Sequence, residues 1–226
     1  MLRLLLIIGA IFVMSCEEES GSGGVNSEAL LDPTSAAVNQ QAPDEFKVEF
    51  VTTKGNFIIQ VHREWAPIGA DRFYSLVING FYDEQRFFRA VANFVVQFGI
   101  HGDPAIAKAW SSHPQLNPEY HSAIALQDDP RTQSNTSGTI VYAKTNAPNS
   151  RSTQVFINLG TNAHLDSYDF APFGEVIEGL EIVTSLYSEY GDAPTSKQGE
   201  ITQLGNAYLD ENFPELDSIK SARIVD

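Results

Sequence analysis

Three observations predict a mainly β fold, a barrel of short strands capped by two α-helices. Short apolar runs recur along the chain, each bounded by Gly, Pro, Asn or Asp, which is the punctuation of antiparallel strands. Only two stretches carry apolar residues at helical spacing. The length of 226 residues, with 42% hydrophobic and 19% charged side chains, supports one domain with a sizeable core and excludes a disordered chain.

The elements follow in order. Residues 1–15 read as an export signal: Arg3 gives a positive start, and Leu4 to Val13 form an apolar run too short for a stable membrane span. The run ends Val13-Met14-Ser15-Cys16, which resembles the bacterial lipoprotein signal, whose cysteine is lipidated and becomes the mature N-terminus. A plain signal peptide or a chance cysteine is the alternative. Residues 16–45, acidic and then Ser/Gly-rich, contain too little apolar area to fold, which predicts a flexible tether; a short helix at Glu28 to Leu31 is the alternative.

A folded domain is expected over 46–226. Phe46, Val48 and Phe50 alternate with polar residues, Lys54-Gly55 makes a turn, and Phe57 to Val61 resumes, which predicts a hairpin. Pro67 suits a helix start, with Phe73, Leu76 and Val77 on one face and Gly80 at the end. Strands are expected at Phe87 to Val91, Phe94 to Phe98, Gly138 to Ala143, Gln154 to Leu159, Phe173 to Ile177 and Ile219 to Val225, and a second helix at Leu180 to Tyr187. Residues 102–137, with prolines at 104, 114, 118 and 130 and no clear period, read as an irregular insertion.

Charge and composition exclude several chemistries. With 29 acidic against 14 basic side chains the net charge is -15, which repels nucleic acid and anionic lipid. Cys16 is the sole cysteine, so no intrachain disulfide forms. His62, His101, His113, His121 and His164 are scattered without metal-ligand spacing, so neither metal nor cofactor is expected. There is no Gly-x-Ser-x-Gly elbow and no Gly-rich phosphate loop. What remains is an arginine among aromatics, in Arg86-Phe87-Phe88-Arg89-Ala90-Val91-Ala92-Asn93-Phe94-Val95-Val96-Gln97. Strict alternation puts Phe94 on the opposite face to Val95 and Gln97 unless a bulge intervenes, and the sequence leaves that open.

The spacing of Arg89, Phe94 and Gln97 resembles the cyclophilin motif Phe-His-Arg followed five residues later by Phe and eight later by Gln. A second block, Ala147-Pro148-Asn149-Ser150-Arg151-Ser152-Thr153-Gln154-Val155-Phe156-Ile157, then Leu165-Asp166 and Phe173-Gly174, is similar to the same family. The resemblance implies an eight-stranded antiparallel β-barrel closed by two helices, and peptidyl-prolyl cis/trans isomerase activity on proline-containing polypeptides. It also implies that Arg89 is the catalytic cation, acting with Phe94 and Gln97. Val95, Phe156 and Leu165 would line the proline pocket with Phe94, Gln154 would shape the hydrogen-bonding wall with Gln97, and the block Lys144 to Ala147 would offer backbone groups to substrate.

Departures from the family pattern bear on specificity. Phe88 stands where histidine usually precedes the arginine, His164 replaces a common tryptophan, and Tyr168-Asp169-Phe170-Ala171-Pro172 replaces the usual Gly-Lys-His stretch, bringing Phe170 near the pocket. The expectation is a monomeric isomerase of the bacterial cell envelope, touching membrane only through lipidated Cys16 and assisting exported proteins. Its rivals are a non-catalytic module that holds proline-rich segments and an acidic structural lipoprotein with no groove function.

Overall fold

The computed structural model describes residues 25–226, so the signal segment and Cys16 lie outside the described residues. The chain forms α1 (Ser27–Leu30), β1 (Glu45–Thr52), β2 (Asn56–His62), α2 (Pro67–Ile78), β3 (Arg89–Val91), β4 (Val95–Phe98) and α3 (Pro104–Ala109). It continues through β5 (Thr139–Tyr142), β6 (Val155–Asn158), β7 (Pro172–Glu178), α4 (Leu180–Thr184), α5 (Gln198–Leu204), α6 (Asn206–Asn212) and β8 (Ile219–Val225). The eight strands make one antiparallel sheet in the order β3-β4-β6-β5-β7-β2-β1-β8, curled into a half-barrel. Its two edges meet where Arg86 pairs with Ser218, flanked by Phe87 N donating to Asp217 O at 3.0 Å and Ile219 N to Gln85 O at 2.9 Å.

Alternation predicts which side chains point inward, and the core follows it. Phe46, Val48 and Phe50 on β1 and Phe57, Ile59 and Val61 on β2 are buried. Phe50 stacks on Phe57 at 4.9 Å and meets Phe98 edge-on at 5.6 Å, so aromatic packing joins the hairpin to β4. The α2 face carrying Phe73, Leu76 and Val77 is buried on this core, with Phe73 5.0 Å from Phe173 of β7. The N-terminus of α2 leaves amide groups without helical partners, and Asp129 takes two of them, from Ile68 N at 3.0 Å and Gly69 N at 2.9 Å. The same carboxylate accepts from buried Arg151 Nη1 at 2.9 Å, so the 102–137 insertion docks through a paired charge.

Three expectations are corrected. The flexible tether over 16–45 does not hold for its described part. Leu30 and Val38 are fully buried, Trp110 Nε1 donates to Leu30 O at 2.8 Å, and Gln40 N donates to Ser75 Oγ at 2.7 Å. The short helix weighed as the alternative forms, with the Asn26 side chain as its N-cap. Composition averaged over the segment hides the few apolar side chains that suffice when a preformed surface receives them. The insertion is not wholly irregular, because Asp103 caps α3 by accepting from Ala105 N at 2.7 Å. The helices exceed two: residues 188–212, to which the sequence assigns no element, carry α5 and α6 over a second apolar cluster of Phe88, Ile201, Leu209 and Leu216.

Candidate active site

Strand register builds the site. Arg89 on β3 lies directly opposite Gln97 on β4, Gln97 opposite Phe156 on β6, Phe156 opposite Val141 on β5, and Val141 opposite Pro172 on β7. Directly opposed residues of antiparallel strands share a face, so these side chains form one row across five strands on the face away from the core. Val95, two residues before Gln97, joins that row. Val95, Val141 and Phe156 form an apolar floor, and Phe94, Leu165, Phe170 and Ala143 pack partly exposed around it.

Phe94 settles the parity left open by the sequence. It precedes β4, in a tight turn closed by Phe94 N donating to Val91 O at 3.0 Å with Asn93 at φ 59°. Strand alternation therefore does not govern it, and its ring lies 5.4 Å from the Arg89 guanidinium, with His164 stacked 6.0 Å away. Asn162 Nδ2 holds the Phe94 carbonyl at 2.8 Å. Leu165 reaches the floor from the 3-10 turn Ala163–Tyr168. Its neighbour Asp166 fixes that turn by accepting from Ser134 Oγ at 2.5 Å and from Asn135 N at 2.9 Å. Burial pushes the Asp166 carboxyl up, but the hydrogen bonds from Asn135 and Ser134 outweigh it and hold it below its ordinary value. The ring of Phe170 meets Phe156 edge-on at 5.7 Å.

A polar chain borders the floor. Arg89 Nη1 donates to Gln97 Oε1 at 3.2 Å, Gln97 Nε2 to Gln154 Oε1 at 2.9 Å, and Gln154 Nε2 to Gln198 Oε1 at 2.8 Å. Since a guanidinium only donates, it dictates which way each amide faces along the chain. Gly99 permits the close approach: at φ 115° it has no Cβ, and one would stand 2.5 Å from Gln154 Cα. Arg89 Nε donates to Asp192 Oδ1 at 2.5 Å.

The structure therefore gathers Arg89, Phe94, Val95, Gln97, Gln154, Phe156, Leu165 and Phe170 around one surface. Ala147 stands apart, on an exposed loop beside a separate hollow that it shares with Lys144 and Phe170. Its N–H donates to Thr145 Oγ1 at 3.1 Å, and its carbonyl accepts from Ser150 Oγ at 2.8 Å with one lone pair left over. Asp192 and Gln198, both from the 188–212 segment, are absent from the sequence expectations, and nothing in the local sequence marks them.

The family model described as "Cyclophilin type peptidyl-prolyl cis-trans isomerase/CLD" matches residues 47–206. The chain belongs to the cyclophilin family. It is a peptidyl-prolyl cis-trans isomerase. A peptidyl-prolyl cis-trans isomerase of Acinetobacter baylyi is 33% identical over 156 residues, covering 67% of this chain and 75% of that one. Peptidyl-prolyl cis-trans isomerase B of Escherichia coli is 27% identical, over 62% of this chain and 82% of its own. Among solved structures, a Cryptosporidium parvum cyclophilin overlays with a TM-score of 0.55 at 16% identity, covering 80% of this chain and 98% of that one. It was also solved in the presence of the dipeptide Ala-Pro, with a TM-score of 0.54, 16% identity and coverage of 80% of this chain and 99% of that one. Against the cyclophilin motif, Phe88 in place of histidine is 1% exposed and faces the second cluster, so residues 188–212 cover the position where this member departs.

Proposed function

We propose that Arg89 is the group that accelerates rotation about the X-Pro bond, on a proline ring seated against Val95, Phe156, Leu165 and Phe94. Planar amide resonance sets a barrier of roughly 18–20 kcal/mol, and rotation breaks no covalent bond. As the bond twists, the prolyl nitrogen pyramidalises and regains a lone pair. A guanidinium aimed at that nitrogen binds the twisted state better than either planar isomer, and this differential binding is the catalysis. The apolar floor holds the ring while the preceding carbonyl swings, and Gln97 restrains the guanidinium from one side. No proton is transferred, so the site needs neither a general base nor a nucleophile. Phe170 narrows the rim where the family pattern carries a different stretch, and we assign it to side-chain selection next to proline.

The observation that carries this reading is a half-buried guanidinium 5.4 Å from the Phe94 ring at the edge of the apolar floor. The test is a protease-coupled assay with Xaa-Pro peptides. Arg89→Ala should lower kcat/KM by about a hundredfold or more, the scale of removing one preorganised donor. An unchanged rate would reject the assignment.

The physiological substrates we propose are X-Pro segments of exported proteins, met by a monomer anchored to the bacterial cell envelope through lipidated Cys16. The support is the sequence Val13-Met14-Ser15-Cys16 behind an apolar run, in a chain too acidic for electrostatic attraction to anionic lipid. Mass spectrometry of the mature N-terminus should find a diacyl- or triacyl-cysteine, and an unmodified start elsewhere removes the anchor.

A further inference from the structure

We propose that Asp192 is a positioning residue for Arg89, a carboxylate that locks the guanidinium in the orientation that isomerisation uses. The inference rests on the reading of Arg89 given above. An arginine side chain is long and rotamer-rich, and at the rim of a groove it wanders unless something fixes it. Here two neighbours fix it from different sides. Asp192 accepts from Nε at 2.5 Å, Gln97 accepts from Nη1 at 3.2 Å, and the Phe94 ring supports the plane. Among the described residues no protein group accepts from Nη2, so the restraint leaves that edge for the prolyl nitrogen.

The carboxylate is itself held in place. Gly191 forms a bridge with Ala90, next to Arg89 on β3, and adopts φ 52°, a left-handed conformation that glycine takes without strain. Gly191 N donates to Ser188 O at 3.0 Å, Ala193 N to Tyr190 O at 3.0 Å and Thr195 N to Asp192 O at 3.0 Å, so the residue sits inside a closed turn. Tyr190 anchors that turn through its ring, 5.2 Å from Phe213 in the second apolar cluster. Residues 188–212 thus deliver Asp192 to Nε from one end and Gln198 to Gln154 from the other, and the second apolar cluster is what makes the delivery rigid. Because the Asp192 side chain is 63% exposed, its pairing is screened and its effect is one of orientation more than of charge.

The experiment compares Asp192→Ala, Asp192→Asn and Asp192→Glu with the unaltered full chain, using Xaa-Pro turnover and the 1H–15N resonance of the Arg89 Nε–H. Asp192→Ala should lower kcat by about three- to tenfold with KM changed less than about twofold, because Asp192 orients the group that acts in the twisted state and does not touch substrate. Its Nε–H signal should move upfield and exchange faster with water. Asn, which keeps an acceptor without charge, should fall between, and Glu should recover both rate and signal. An unchanged or raised kcat in Asp192→Ala overturns the proposal, as does an unchanged Nε–H signal, a loss confined to KM, or failure of Glu to rescue. Loss of Arg89 function is read separately: if Arg89→Ala leaves turnover intact, the site reading fails, whereas an inactive Arg89→Ala with an Asp192→Ala of undiminished kcat sinks only the role of Asp192.

Discussion

The two faces of β4, β5 and β6 are made by alternate residues of the same strands. Val96, Phe98, Ile140, Val155 and Ile157 point inward and are at most 1% exposed. Val95, Gln97, Val141 and Phe156 point outward, and their cover is incomplete, because Phe94, Leu165 and Phe170 are only half-buried. The inward face is closed by neighbours that stay in place and so contributes stability. On the outward face the floor itself is at most 5% exposed, and the half-buried side chains of Phe94, Leu165 and Phe170 around it are the apolar surface left for the binding proposed above. Period two thus divides folding from function within single strands.

Large-to-small substitutions on the two faces test that division, and the inner face should show the larger effect. Phe98 touches the rings of Phe50, Tyr82 and Phe87 at centroid distances of 5.6, 5.6 and 5.4 Å. Phe98→Ala should therefore cost about 3–5 kcal/mol, read by chemical denaturation, since the closed core cannot collapse into the cavity. Leu165→Ala on the outer face should cost about 1 kcal/mol, because the side chain is already partly in water. Its effect should appear instead as a rise of about tenfold in KM for Xaa-Pro peptides, from the lost ring contact. Equal destabilisation by the two substitutions, with no change in KM for Leu165→Ala, would erase the distinction between the faces.

The same contrast explains what the sequence discloses. Strands that bury one face carry their own alternation, so β1, β2 and β8 are legible from residues such as Phe46, Val48 and Phe50 alone, and the row Arg89, Gln97, Phe156 follows once register is known. Phe94 is ambiguous in the sequence because its position depends on a turn at Asn93, not on alternation. The tether expectation fails over residues 25–45 because Leu30 and Val38 become core only against α2 and α3, surfaces built from later residues. Asp192 is illegible for a related reason: its partner lies 103 residues earlier, and a single aspartate in a Gly-Asp turn has no local signature of what it will meet. Gln198 is hidden in the same way, in a short helix held by the second apolar cluster.

The smallest predicted effect separates the two faces by pH. On the core side, His101 packs 5.4 Å from Phe81, and its Nδ1 accepts from Asp103 N at 2.9 Å, which places the ring proton on Nε2. Burial pushes the His101 pKa below its ordinary value, so the unfolded chain takes up a proton that the folded chain resists, and stability falls as pH drops through the ordinary histidine range. Outside, Asp166 has a folded pKa held low by Asn135 and Ser134 against the opposing push of burial, so its contribution is complete above the ordinary aspartate value and is lost as pH falls through the folded value. Denaturation midpoints measured from about pH 7 down to about pH 3 should therefore decline in two stages. His101→Asn should flatten the first stage and leave the second, and Asp166→Asn should flatten the second and leave the first. A single transition, moved as a whole by either substitution, would mean that the core side and the site loop titrate as one unit and that the division between faces stops at packing.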